Sequence, residues 1–266
     1  MTLRQALAVA EPRLDAEWIL AQVLGKERLK MLLSLDDPLC EQAEETYRGL
    51  LQRRMAGEPL QYVLGEAHFM GHAFYVDARV LIPRSDTETV CEAAIQRLPR
   101  DGSLLDIGTG SGAIAISAAL ACPGARIAGA DISENALTVA RINAQRLSVR
   151  VEWLQGDLYA PLAGRMFDCI VSNPPYIPSA ALPALPREVR AEPVSALDGG
   201  ADGLDFYRGI IAGLPGHLRP GGSLVFESGD GQSEQIAGLM AGFQTITVLR
   251  DLKGLPRAVI GDHYAR

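Results

Sequence analysis

Long apolar runs are missing from this 266-residue chain. No stretch of about 18 uninterrupted apolar residues occurs, so no membrane-spanning helix is expected. A secretory leader is not expected at Met1-Thr2-Leu3-Arg4-Gln5 either, because Arg4 and Glu11 bracket too short an apolar stretch. Cysteine is scarce. Cys40, Cys91, Cys122 and Cys169 share no C-x-x-C spacing, which points to reduced thiols in a cytoplasmic protein rather than a disulfide framework. Cys169 lies in a predicted core strand and reads as a small buried hydrophobe. His68 and His72 are four apart, but Phe69-Met70-Gly71 between them reads as strand or turn, so no metal is expected. Basic runs are absent too; Arg53-Arg54 is the densest spot. With a net charge of −7 and a pI near 5.2, direct nucleic-acid binding is not expected. What is present, 48% hydrophobic and 21% charged residues, supplies core enough for one large domain, alone or with a small second one.

Asn173-Pro174-Pro175-Tyr176 is the most informative segment. It follows the apolar run Phe167 to Val171 and Ser172, as a loop follows a buried strand. Neither proline donates to a ladder, and each holds the preceding residue extended. An amide oxygen and backbone carbonyls thus project into one small space. Such neutral acceptors suit both hydrogens of a planar –NH2, with Tyr176 against its plane. The pattern asks for an amide or aromatic-amine nitrogen.

Upstream, Leu104-Leu105-Asp106-Ile107 runs into Gly108-Thr109-Gly110-Ser111-Gly112, and Ala113 to Ala121 reads as a helix. Glycines here permit tight turning and close approach of a ligand to the backbone. The loop also fits the permissive dinucleotide fingerprint. The next strand, Arg126 to Ala130, ends in Asp131, 23 residues beyond the first glycine, where a carboxylate can accept ribose hydroxyls. Ser133 is the better N-cap of the helix that follows. A third strand, Val149 to Leu154, leads to Gly156-Asp157-Leu158, where the acid can take an adenine amine and Leu158 can cover the base. Four loops at successive strand ends converge on one crevice, an adenosine-bearing cofactor beside an –NH2 gripper.

This combination resembles S-adenosylmethionine-dependent amino-methyltransferases. The likeness narrows to the HemK/PrmC protein glutamine methyltransferases through Leu81-Ile82-Pro83-Arg84-Ser85-Asp86-Thr87-Glu88. Gly57-Glu58-Pro59-Leu60-Gln61-Tyr62, Glu192-Pro193 with Ala196-Leu197, and Gly199-Gly200-x-Asp202-Gly203-Leu204 add to it, as do Glu227-x-Gly229 with Gln232 and Asp251-Leu252-x-Gly254-x-x-Arg257. Two departures stand out: Ser85 replaces the family's usual proline, leaving a capping box Ser85-x-x-Glu88, and Leu158 replaces a frequent aromatic. The resemblance implies methylation of the glutamine in the Gly-Gly-Gln motif of class I peptide-chain release factors, with S-adenosyl-L-methionine as cofactor. Gly108, Thr109, Gly110, Ser111, Gly112, Asp131, Asp157, Leu158 and Asn173 would hold the cofactor. Asn173, Pro174, Pro175 and Tyr176 would hold the glutamine, with Asn173, Pro174 and Tyr176 catalytic. Arg84 would close over the site or pair with an acid.

The expected fold is α/β, a doubly wound, mostly parallel sheet of the class I methyltransferase type (Rossmann-like), with a small N-terminal helical bundle. The expected divisions are 1–70, helical and substrate-docking; 71–85, a hairpin linker with strands Phe69 to Val76 and Arg79 to Ile82; and 86–266, catalytic. In the helical part Leu7, Leu14, Trp18, Ile19 and Val23 mark apolar faces and Gly25 a C-cap. The proline-rich stretch 178–193 reads as a loop that orders on substrate binding. An adenine N6-methyltransferase acting on nucleic acid is the main alternative, since adenine presents the same –NH2; a nicotinamide-dependent oxidoreductase and a non-catalytic binding module follow.

Overall fold

Apolar spacing builds two compact units in the computed structural model, which describes residues 1–8, 12–162, 164–251 and 253–265. Glu11 and Leu252 lie outside the described residues. The first unit comprises Met1–Glu66 and Pro186–Ala191. Its helices are α1 (Leu3–Ala8), α2 (Arg13–Val23), α3 (Arg28–Leu32), α4 (Glu41–Met55) and α5 (Leu60–Leu64). Leu3, Leu7, Ile19, Leu20, Met31 and Tyr47 form its core. Leu14 and Trp18, expected on the apolar face, are exposed instead. Trp18 lies under the Arg28 guanidinium, its ring centroid 5.7 Å away, which gives an exposed indole a partner without burying it. Gly25, at φ +60, closes α2 as expected. Glu188, in the returning segment, pairs with Arg54, which also holds Asp15.

The second unit comprises Ala67–Leu185 and Glu192–Arg266. A hairpin of β1 (Glu66–Phe69) and β2 (His72–Tyr75) turns through Met70 and Gly71, both at positive φ, the turn that matches strand twist. The expected second strand, Arg79 to Ile82, does not form. Asp77 accepts from the backbone N–H and the guanidinium of Arg79, and this local turn bends the chain away from a ladder.

The remaining elements are α6 (Asp86–Arg97), β3 (Ser103–Ile107), α7 (Ala113–Ala121), β4 (Arg126–Asp131), α8 (Glu134–Arg146), β5 (Glu152–Gln155), β6 (Phe167–Ser172), α9 (Asp205–His217), β7 (Leu218–Glu227), α10 (Ser233–Leu239), β8 (Phe243–Arg250) and β9 (Pro256–Tyr264). Their sheet order is β5-β4-β3-β6-β7-β9-β8. The first five strands are parallel and β9 runs antiparallel to both β7 and β8. Strand residues alternate between two apolar layers. Leu104, Cys169 and Val171 pack with Val90, Cys91 and Ala115, whereas Leu105, Ile170 and Phe226 pack with Tyr207, Ile210 and Ile236. Winding proceeds outward from β3 through β4 to β5, then restarts on the other side at β6. The switch point between β3 and β6 is where such sheets open a ligand crevice.

Candidate active site

The carboxyl ends of β3, β4, β5 and β6 surround a cavity of about 730 Å³, a size suited to a nucleoside-bearing cofactor. Gly108, Gly110, Asp131, Asp157, Leu158, Asn173, Pro174 and Pro175 line it together. Thr109, Ser111, Gly112 and Tyr176 do not line it; they brace those that do.

The glycine loop is shaped from below. The Gly108 and Thr109 N–H groups donate to Ala130 O at 2.8 and 3.1 Å, tying the loop to β4. Asp131 accepts from Gly110 N at 2.9 Å and from Ser133 N at 2.9 Å, and burial raises its carboxyl above the ordinary range. Gly112 sits at φ +81, and a Cβ there would lie 2.9 Å from both Ile116 Cδ1 and Trp153 Cη2. A Cβ on Gly108 would meet nothing within 4 Å, so open cleft lies against that backbone.

Three bracing residues went unread in the sequence. Asp106, buried, accepts from Thr109 Oγ1 at 2.6 Å and from Ala115 N at 3.2 Å, while its Oδ1 has no partner; burial pushes it up to about 7. A lone acid at the end of an apolar run is the signal that could have found it. Asn143, fully buried on α8, donates to Ser111 O and Tyr75 O and accepts from Tyr75 N, so it fastens loop, hairpin and helix at one point. Arg79 reaches the cleft wall.

On the β6 side, Ser172 Oγ donates to Ile107 O at 2.7 Å, locking the two strand ends around the switch point. Asn173 donates from Nδ2 to Thr87 Oγ1 at 3.3 Å. The glycine-rich segment after residue 198 backs the proline pair: a Cβ on Gly199 would be 2.8 Å from Pro175 O, and one on Gly203 2.3 Å from Tyr176 O. Gln232 donates to Tyr176 O at 3.0 Å. The Tyr176 ring packs beside Gly229, and burial pushes its phenol up to about 12, so it stays protonated.

Arg84 pairs with Glu192, whose other oxygen accepts from Ile82 N at 2.9 Å. The signature segment before α6 is thereby pinned to the residues entering the cleft wall at Pro193 and Val194. The expected capping box does not form. Ser85 has helical dihedrals and caps nothing, while Glu88 accepts from Met70 N at 2.6 Å and anchors the hairpin turn. Ser133 does cap α8, accepting from Ala136 N.

Among the described residues the cleft wall carries four carboxylates, Asp131, Asp157, Asp198 and Asp205, and one cation, Arg79. That balance fits a nucleoside carrying a positive sulfonium and an ammonium. It is a poor match for a dinucleotide, whose pyrophosphate needs positive partners.

Comparison with known proteins agrees. Residues 2–65 match the PrmC N-terminal domain and residues 87–185 the methyltransferase small domain. A release factor glutamine methyltransferase from Geobacter sulfurreducens is 46% identical over 95% of this chain and 90% of its own length. That from Moorella thermoacetica is 46% identical over 98% of both. Among solved structures, a methyltransferase from Pyrococcus furiosus superposes with a TM-score of 0.57 at 17% identity, over 84% of this chain and 99% of that one. It shares the fold. With identity sustained across nearly the whole length of both chains, this protein belongs to the release factor glutamine methyltransferase family, enzymes that use S-adenosylmethionine.

Proposed function

We propose that the protein moves the methyl group of S-adenosylmethionine to the side-chain amide nitrogen of the glutamine in the Gly-Gly-Gln motif of class I peptide-chain release factors. The observation that supports this reading is that Asn173 and Pro174 line the same cleft as Gly108, Gly110 and Asp131.

When bound, S-adenosylmethionine supplies an electrophilic methyl group. Gly108 and Gly110 would take it against the cleft-facing backbone of the loop that Thr109, Ser111 and Gly112 brace, Asp131 its ribose hydroxyls, and Asp157 with Leu158 its adenine. The difficulty of the reaction lies in the nucleophile, since an amide nitrogen shares its lone pair with its carbonyl. Asn173 Oδ1 and the Pro174 carbonyl each accept one N–H of the substrate amide, fix its orientation and favour a pyramidal nitrogen. Pro174 and Pro175 carry no N–H, so no backbone donor competes there. Positioning of this kind is worth several kcal/mol, up to about 7–11 in ideal cases. The nitrogen becomes acidic as its new bond forms, so no strong base is needed beforehand. Val194, Pro193 and Leu158 give the cleft apolar lining.

The test is transfer of labelled methyl from S-adenosylmethionine to purified release factor, beside a Gly-Gly-Ala version and a DNA duplex. Label in the Gly-Gly-Gln protein alone is expected. Label in DNA would move the activity to adenine.

A further inference from the structure

An amide can face the cleft with either its oxygen or its nitrogen, and only the oxygen can accept a substrate N–H. Something must therefore set the rotation of Asn173. The proposed function uses the oxygen but does not say what holds it there.

Three buried polar groups meet behind Asn173. Thr87, in the first turn of α6, is 4% exposed, and its Oγ1 accepts from Asn173 Nδ2 at 3.3 Å. Glu227 ends β7, beside the end of β6, because Ser172 pairs with Phe226 across the two strands. The nearby Thr87 hydroxyl acts as a donor that opposes the effect of burial on this carboxyl, whose Oε2 has no partner. Burial pushes this carboxyl up to about 7, against the opposing pull of Arg257 and Arg84, so at pH 8 it is ionised and can only accept. The Tyr207 hydroxyl, donating to Glu227 O at 2.8 Å, fixes the backbone beneath it.

The hydrogen count settles the rotation. A threonine hydroxyl has one proton, and the carboxylate takes it. Only lone pairs then face Asn173, and lone pairs can be met only by the –NH2. With the amide reversed, two oxygens would face each other in a dry pocket, and a buried acceptor would lose its partner. We infer that Thr87, its proton held by Glu227, is a positioning residue for methyl transfer: it locks the Asn173 amide with Oδ1 toward the cleft. This rests on the reading that Asn173 grips the substrate amide.

The test compares Thr87→Val, Thr87→Ser and Asn173→Ala at pH 8 with a release-factor substrate. Thr87→Val keeps the shape and loses the hydroxyl. Its kcat should fall about 10- to 30-fold, because a preorganised acceptor then spends much of its time turned away. The KM for release factor and the calorimetric Kd for S-adenosylmethionine should stay within about twofold. Thr87→Ser should return kcat to within about threefold, and Thr87→Val should add nothing in the Asn173→Ala background, the mark of two residues acting as one unit. Wild-type kcat in Thr87→Val, with Asn173→Ala inactive, overturns this inference alone. Wild-type kcat in Asn173→Ala overturns the underlying reading as well. A Thr87→Val protein that loses cofactor affinity in step with kcat points to general disruption and overturns the positioning role. If the valine variant fails to fold, Thr87→Cys, whose thiol bonds weakly, must show the same kcat loss, and wild-type kcat from it overturns the inference.

Discussion

Arg84→Ala should destabilise the catalytic unit through Glu192 rather than through any contact of its own. The Glu192 side chain is 1% exposed and that of Arg84 41%. Burial raises the Glu192 carboxyl above its ordinary value even with Arg84 alongside and Ile82 N–H donating. Without the guanidinium, a buried anion keeps one N–H. Breaking a fully buried pair in this way costs about 3–5 kcal/mol. Here the arginine is well solvated and its field screened, so about 2 kcal/mol is expected at pH 8. For a unit of this size that lowers Tm by about 4–8 °C. Glu192→Gln keeps an acceptor for Ile82 N–H without the charge, so the same Arg84→Ala change in that background should cost under about 0.5 kcal/mol. The penalty requires an ionised Glu192. A raised folded value means that this group favours folding least at high pH, so the cost of Arg84→Ala grows as pH rises through that value and disappears below the unfolded carboxylate range. Scanning calorimetry of the four proteins decides the matter. Equal losses of Tm in both backgrounds would refute the reasoning.

Other expectations follow from the same geometry. Gly112→Ala forces a side chain into φ +81 and against Ile116 and Trp153; overpacking of this kind costs about 1–3 kcal/mol, read as a lower urea midpoint with weaker cofactor binding. Asp131→Ala removes the acceptor of Gly110 N and Ser133 N, and calorimetry should show S-adenosylmethionine bound at least about tenfold more weakly. Asp106 and Glu227 are both pushed up to about 7. Raised acids favour the folded state below their unfolded values and lose that contribution as pH rises toward 7. Stability should therefore decline between about pH 4 and 7, and Asp106→Asn should flatten part of that decline in urea titrations at several pH values.

Much of the sheet was legible because β3, β4 and β6 are mainly apolar runs followed closely by glycine, acid or proline punctuation, as buried parallel strands often are. The motifs Gly199-Gly200 with Gly203, and Gly229 with Gln232, were visible in the sequence. Their shared purpose, backing Pro175 and Tyr176, appears only once the chain is folded. Misreadings came where a side chain found a distant partner. Glu88 was drawn to Met70 N and left Ser85 uncapped. Asp77 captured Arg79 and ended a strand that apolar residues had suggested. Asn143 carries no local pattern, and Thr87 and Glu227 stand in quoted motifs without showing their partners, because those partners come from separate elements. The six residues Pro186–Ala191 join the helical unit through Glu188 and Arg54, a pairing across more than a hundred positions that no local periodicity encodes.

The central claim is that Asn173 holds a glutamine amide beside the cofactor cleft. Mass spectrometry of a class I release factor, incubated with this protein and S-adenosylmethionine, tests it most directly. The account predicts one added methyl group on the Gly-Gly-Gln glutamine, lost with Asn173→Ala while calorimetry still shows cofactor binding. A methyl group elsewhere, or full methylation by Asn173→Ala, would contradict it.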